Sequence, residues 1–189
     1  MVRFADDMVF VFQHTDDAKR FYKVLPKRLE KFGLKLHEEK SGIIQTGSKT
    51  AVEAHAKGDR IPTYKFLGFT CYWGKGRYGR WRLKYKTRSD RFASKLSGLR
   101  QYLKSNLNKD TNEIITSVKR IVTGWKNYNA ISDNQGRVGA FIQLSKRAIF
   151  KWINRKGGKR KMCWEKFVRL LKQIKFPERF KTISMFQSC

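Results

Sequence analysis

Apolar positions dominate the first dozen residues, MVRFADDMVFVF, and are interrupted by Asp6 and Asp7 side by side. The pattern predicts two short strands, VRFA and MVFVF, joined tightly at the Asp pair, because Asp is a frequent turn residue. The period then lengthens. Ala18, Phe21, Tyr22, Leu25, Leu29 and Phe32 recur at three and four and predict an amphipathic helix over 16–32. Thr15 and Asp16 are competent caps. Pro26 lies inside the pattern and predicts a kink or a split, and Gly33 predicts the end. LKLH (34–37) and GIIQT (42–46) read as strands about a turn, and 48–62 has no clean period and reads as a loop. TYKFLGFTCYW (63–73) and RYGRWRLKYK (77–86) predict two strands about a glycine-rich turn. The second alternates Trp81, Leu83 and Tyr85 with basic residues, as a half-buried strand does, and Trp73 and Trp81 are expected to pack this hairpin.

From residue 88 the period is helical throughout. One stripe runs Phe92, Leu96, Leu99, Leu103, Leu107. A second runs Ile114, Ile115, Val118, Ile121, Val122, Trp125, with Asp110 or Thr111 as its cap. Phe141, Leu144, Ala148, Ile149 and Trp152 form a third, and Trp164, Phe167, Val168 and Leu171 a shorter fourth. The fold class is therefore α+β, with a mixed half over 1–87 and an all-helical half over 88–189.

Charge changes the picture most. The 189 residues carry 43 Lys+Arg against 15 Asp+Glu, a net +28. Solubility of a small domain needs roughly 2–8 charges, so the excess points to a polyanionic partner. Nucleic acid is the first choice and an anionic membrane surface the second. Up to residue 89 there are 20 basic and 9 acidic residues, and after it 23 and 6, which gives +11 and +17. Both halves are expected to meet the polyanion, the helical half more.

Cys71, Cys163 and Cys189 are widely spaced, as are His14, His37 and His55. Neither a disulfide framework nor a zinc site is predicted, which suits a reducing compartment, a bacterial cytoplasm or an organelle. With no apolar run of about 18 residues, neither secretion nor membrane spanning is expected.

Asp6 and Asp7 are the first candidates for chemistry. Two carboxylates lifted on a hairpin can ligate Mg²⁺, a hard ion that takes one or two carboxylates with water and phosphate. In nucleotidyl transfer such ions lower the pKa of the attacking hydroxyl and neutralise the leaving pyrophosphate. Taken by itself, an Asp pair in a turn reads first as turn chemistry alone.

Five segments in order alter that balance: FADD (4–7), GLKLHEEKSGII (33–44), FLGF (66–69), GWKNYN (124–129) and KGGKRKMCWEKF (156–167). Together they resemble the reverse transcriptases of group II introns, the maturases. FADD is similar to the family's Tyr-Ala-Asp-Asp box, with Phe4 for Tyr. The second segment is similar to Gly-Leu-x-Leu-x-x-x-Lys-Thr, with Ser41 for Thr. FLGF resembles the block that grips the primer end, Phe66, Leu67 and Gly68 included. GWKNYN and the basic Trp-centred stretch resemble the thumb, or domain X.

The resemblance implies a partial polymerase palm over 1–87, an antiparallel sheet with a helix, followed by a helical thumb over 88–189. It implies RNA-directed DNA polymerase ancestry, with Asp6 a ligand of the catalytic metals and Asp7 its supporting carboxylate. Phe4 keeps the ring near nucleotide or template but loses a hydroxyl. The family's further metal-binding carboxylate and its fingers lie upstream of the Asp-Asp hairpin. The expectation is thus the later half of such an enzyme, with Mg²⁺ and copying activity only when an N-terminal reverse transcriptase fragment complements it.

The expected retained function is binding of structured RNA, intron or RNA/DNA duplex. The candidates are Lys119, Arg120 and Lys126, then Lys146, Arg147 and Lys151, and the run Arg155, Lys156, Lys159, Arg160, Lys161 around two glycines. Any single lysine reads first as solvated surface; the run reads as a phosphate grip. Trp125 and Trp152 continue apolar stripes and are expected in the core. Tyr128-Asn129, near Asn127 and Asn134, is a candidate RNA-facing edge. Lys40 matches the family's lysine near primer or nucleotide and reads equally as surface. Two rival functions remain: a non-catalytic splicing cofactor with a relic Asp pair, and a basic DNA-binding module of other ancestry.

Overall fold

The hairpin at the start is shorter than its apolar run. β1 (Val2–Phe4) pairs antiparallel with β2 (Asp7–Val9), Val2 opposite Val9 and Phe4 opposite Asp7. The turn is therefore Ala5-Asp6, with Ala5 at φ 50°, and Asp7 already belongs to β2. The strand expected to run on to Phe12 stops at Val9, where β1 offers no further partner. Phe10 and Phe12 instead pack their rings on Phe21, at 4.5 and 5.2 Å. The computed structural model describes residues 1–156 and 161–184. Within them the chain is mixed α+β, with six α-helices and two small antiparallel sheets of two and three strands.

Contacts divide the chain into two units, one of residues 1–67 and 71–83, the other of 68–70 and the chain from Lys84 on. In the first unit α1 (Thr15–Glu30) begins after His14, which makes no side-chain cap; Asp16 and Asp17 favour the first turn through the helix dipole instead. Pro26 lies inside α1, which continues past it as one helix. Gly33, at φ 68°, closes it: Gly33 N–H donates to Glu30 and Leu34 N–H to Leu29, the paired bonds of a Schellman motif.

Two expectations fail next. LKLH and GIIQT form no strands, because no neighbouring strand supplies a ladder; a 3-10 turn, Glu38–Lys40, lies between them. The supposed loop contains α2 (Ser48–Lys57), with Ala51 fully buried. Its alanines have high helix propensity, but one buried position makes no visible period. Trp73 donates to Thr46 Oγ1 at 2.9 Å, and Trp81 meets His55 edge-on. Burial pushes the Cys71 thiol up, against a hydrogen bond with Tyr64, and so keeps it inert.

The single strand expected over 63–73 is two, β3 (Thr63–Phe66) and β4 (Phe69–Lys75), and β5 (Trp81–Thr87) completes the order β3-β4-β5. The break is Leu67-Gly68, at φ 46° and 78°. Positive φ at both central residues reverses the chain in two residues with the twist a hairpin needs.

In the second unit α3 (Ser89–Ser105), α4 (Thr111–Asn129), α5 (Gln135–Lys156) and α6 (Trp164–Gln173) share one core. α5 packs on α3 and on α4. Phe92, Leu96, Leu99 and Leu103 meet Ile114, Ile115, Val118, Val122, Phe141, Ile149 and Phe167 there. Each such burial stabilises by about 1.5–3 kcal/mol. Trp125 stacks on Phe141 at 4.0 Å, and Trp152 is buried, so both expected core tryptophans are core. Leu107 falls beyond the end of α3 and is 41% exposed, so the first stripe ends at Leu103. Asp110 caps α4 by accepting from the N–H groups of Asn112 and Glu113. Those same bonds, Glu113's first, hold its carboxyl below the usual range.

Candidate nucleic-acid interface

Two segments that are far apart in sequence meet in the second unit. The Tyr128 ring lies nearly parallel to that of Phe69, 5.7 Å between centroids and 16° between planes. A Cβ built on Gly68 would lie 4.0 Å from the Tyr128 hydroxyl, and the Gly68 carbonyl accepts from Arg88 N–H. Tyr128 remains 59% exposed, while Phe69 beneath it is buried. The arrangement is an aromatic plate, more than half exposed, with a buried backing ring.

A buried polar knot fixes it. Asn134 Oδ1 accepts from Thr87 N–H at 2.9 Å, while its Nδ2 donates to Thr87 Oγ1 and to the Asn129 carbonyl, both at 2.8 Å. Thr87 Oγ1 donates to Asn129 Oδ1, and Asn129 Nδ2 donates to the Trp125 carbonyl. The knot ties the end of β5 to the last turn of α4 and the start of α5. Asn129 and Asn134 are therefore interior residues, which corrects the RNA-facing expectation for them; Tyr128 alone of that edge faces out with Asn127. Sequence reading missed Thr87 and had Phe69 only as the last residue of FLGF, because the polar or apolar character of either says nothing of a partner some 40 residues on or more.

The basic candidates divide by what their charges meet. Lys146 is 7% exposed and pairs with Glu178 at 2.7 Å, so its ammonium belongs to the fold rather than to an open phosphate site. Lys119, half-buried, donates to the Ile174 carbonyl at 2.8 Å. Lys156 donates to the Lys109 carbonyl and lies over the Trp152 ring. Arg120, Arg147, Lys151, Arg155 and Lys161 are exposed, and Lys126 is half-buried. Lys159 and Arg160 lie outside the described residues.

In the first unit Asp6 and Asp7 are exposed at the hairpin, with Phe4 65% exposed. Lys40 is exposed on the 3-10 turn, Phe66 is half-buried at the end of β3, and Leu67 opens the two-residue turn. No group of three His, Cys, Asp or Glu side chains suited to a metal occurs among the described residues. An adjacent pair on open hairpin backbone does not by itself fit two Mg²⁺ ions held in fixed geometry, because each ion needs several oxygen ligands. Among the described residues no helix is long and apolar enough to cross a membrane.

The fold and these features define a mixed α+β chain whose helical unit presents an aromatic plate and an excess of cations. Comparison with protein-family models, with curated proteins and with solved structures finds no match.

Proposed function

We propose that this chain is part of a reverse transcriptase or maturase of the group II intron type, palm followed by thumb, and that it binds structured RNA or an RNA/DNA duplex. The observation that carries the reading is the meeting of FLGF and GWKNYN: Gly68 and Phe69 lie against Tyr128. A turn that grips a primer end and helices that follow a duplex serve one ligand, so they need to be neighbours. The exposed Tyr128 ring suits stacking of an unpaired base, and Arg120, Arg147, Lys151, Arg155 and Lys161 suit phosphates.

Asp6 and Asp7 supply two donors of a larger metal-binding set. A further carboxylate would come from an N-terminal reverse transcriptase fragment, and Mg²⁺ would bind in that assembly. The open, unsupported Asp pair also favours a second reading, a splicing cofactor that needs no metal.

The test is anisotropy of a labelled RNA hairpin with a single-stranded loop, titrated with the whole chain across a salt series. Binding that falls steeply with salt, and a Tyr128→Ala variant weaker on the loop than on blunt duplex, support the reading. Duplex DNA bound as tightly as RNA at equal salt rejects it. Primer extension with an N-terminal fragment, lost on Asp6→Ala, supports the polymerase; splicing that survives Asp6→Ala supports the cofactor.

A further inference from the structure

A hollow of about 650 Å³ opens along the C-terminal half of α3, lined by Ser97, Arg100, Gln101, Lys104, Ser105 and Arg155. Five of these recur at three and four along α3, which puts them on one face, away from the buried stripe of Phe92, Leu96, Leu99 and Leu103. Arg155 comes from the last turn of α5. The serines are short and leave a floor between longer side chains, and they span eight residues, about 12 Å of helix.

Three cations share this hollow and no carboxylate lines it. α5 has no Asp or Glu in its 22 residues. The one acid of α3, Asp90, is bound to Arg88 at 2.6 Å. Elsewhere in the unit Asp110 caps α4, Glu113 pairs with Lys109 and Glu178 pairs with Lys146. Asp133 sits in the turn before α5, and Glu165 in the first turn of α6. The hollow's three cations thus have no carboxylate among the residues that line it, which suits an anionic ligand.

We propose that this hollow is a docking site for successive phosphates of a nucleic-acid backbone, separate from the Tyr128 plate. The proposal rests on the nucleic-acid reading of the helical unit and extends it. Hydroxyls, an amide and guanidinium groups donate to phosphate oxygens, and no aromatic ring lines the hollow, so the contact is to backbone and carries no sequence preference. Lys104 lies fifteen residues along α3 from Ser89, about 22 Å, whereas Arg88 adjoins Gly68 at the plate's end. A ligand that uses both sites is a polymer, not a mononucleotide.

The test compares the whole chain with Arg100→Gln/Lys104→Gln/Arg155→Gln and with a control of equal charge loss on α6, Lys166→Gln/Arg169→Gln/Lys172→Gln. Affinity for a blunt RNA duplex is read across a salt series, with circular dichroism to confirm folding. The hollow variant is expected to bind roughly tenfold or more weakly near 0.1 M salt, with its salt slope reduced by about two to three, the control changing less than about threefold. Ser97→Glu, a single change that places an anion on the floor, is expected to weaken binding by more than about threefold through like-charge repulsion. Equal losses in the hollow and control variants, or no loss in either hollow variant, overturn the proposal and leave the RNA reading standing. Oligoglutamate that displaces RNA at equal charge concentration points to an acidic protein and also overturns it. A wild-type chain without salt-dependent RNA binding overturns both.

Discussion

Asn134 illustrates how much one side chain can hold. Its amide satisfies the Thr87 N–H and the Asn129 carbonyl at once, in a place 1% exposed. Asn134→Leu keeps the volume and strands both groups, so a loss of about 2–4 kcal/mol is expected in urea unfolding. Thr87→Val removes only the hydroxyl's part and should cost less. Lys146 and Glu178 form a second such case. The hydrogen bond and charge of Lys146 hold the Glu178 carboxyl below the usual glutamate range. A carboxyl depressed by folding binds fewer protons in the folded state. The pair's contribution is therefore full above the ordinary glutamate value, about 4.3, and fades as pH falls through the depressed one. Glu178→Ala should cost about 1–3 kcal/mol at neutral pH by leaving a buried ammonium unpaired, and it should flatten the acid limb of stability against pH. A variant whose acid limb matches wild type would contradict this.

Among the elements, the Leu67-Gly68 turn is the most constrained. Gly68 at φ 78° tolerates a Cβ poorly, so Gly68→Ala should lower stability by about 1 kcal/mol, read as a fall in Tm, and should disturb the Tyr128 plate. The helices α3 to α6 were legible in the sequence because each buries a stripe that repeats at three and four. Asp110 was legible as a cap because its chemistry is local. The break in 63–73 was not, since positive φ at a leucine leaves no mark in an apolar run. α2 was hidden because alanine packs without a strong period, and the two supposed strands at 34–46 were misread because strand formation depends on a neighbour that local pattern does not reveal. Of the site, Tyr128 and the exposed arginines were visible. The hollow was not: Arg100 and Lys104 sit on the polar face of an amphipathic helix, where basic residues look like ordinary surface until the end of α5 is brought beside them. Lys146 looked like its neighbours until Glu178 was found against it.

For the whole molecule, the two units differ in how much they bury. In the first, Ala51 and Cys71 are the buried residues, while Phe4, Phe32, Leu34 and Ile44 stand exposed. The second has a continuous core from Phe92 to Phe176. Amide exchange should therefore be fast through 1–47 and slowest in α3, α4 and α5, with Phe141→Ala costing about 3–5 kcal/mol in the second unit. Uniform protection across both units would contradict this. The composition of α5 carries a last consequence. Arg137, Lys146, Arg147, Lys151, Arg155 and Lys156 share it with no acid at all. Cations along one rod push each other apart, and mobile ions relieve that push. Adding potassium chloride should thus raise the melting temperature of the unliganded protein over the same range in which it strips away a polyanion, so that one ion concentration toughens the scaffold while it empties it.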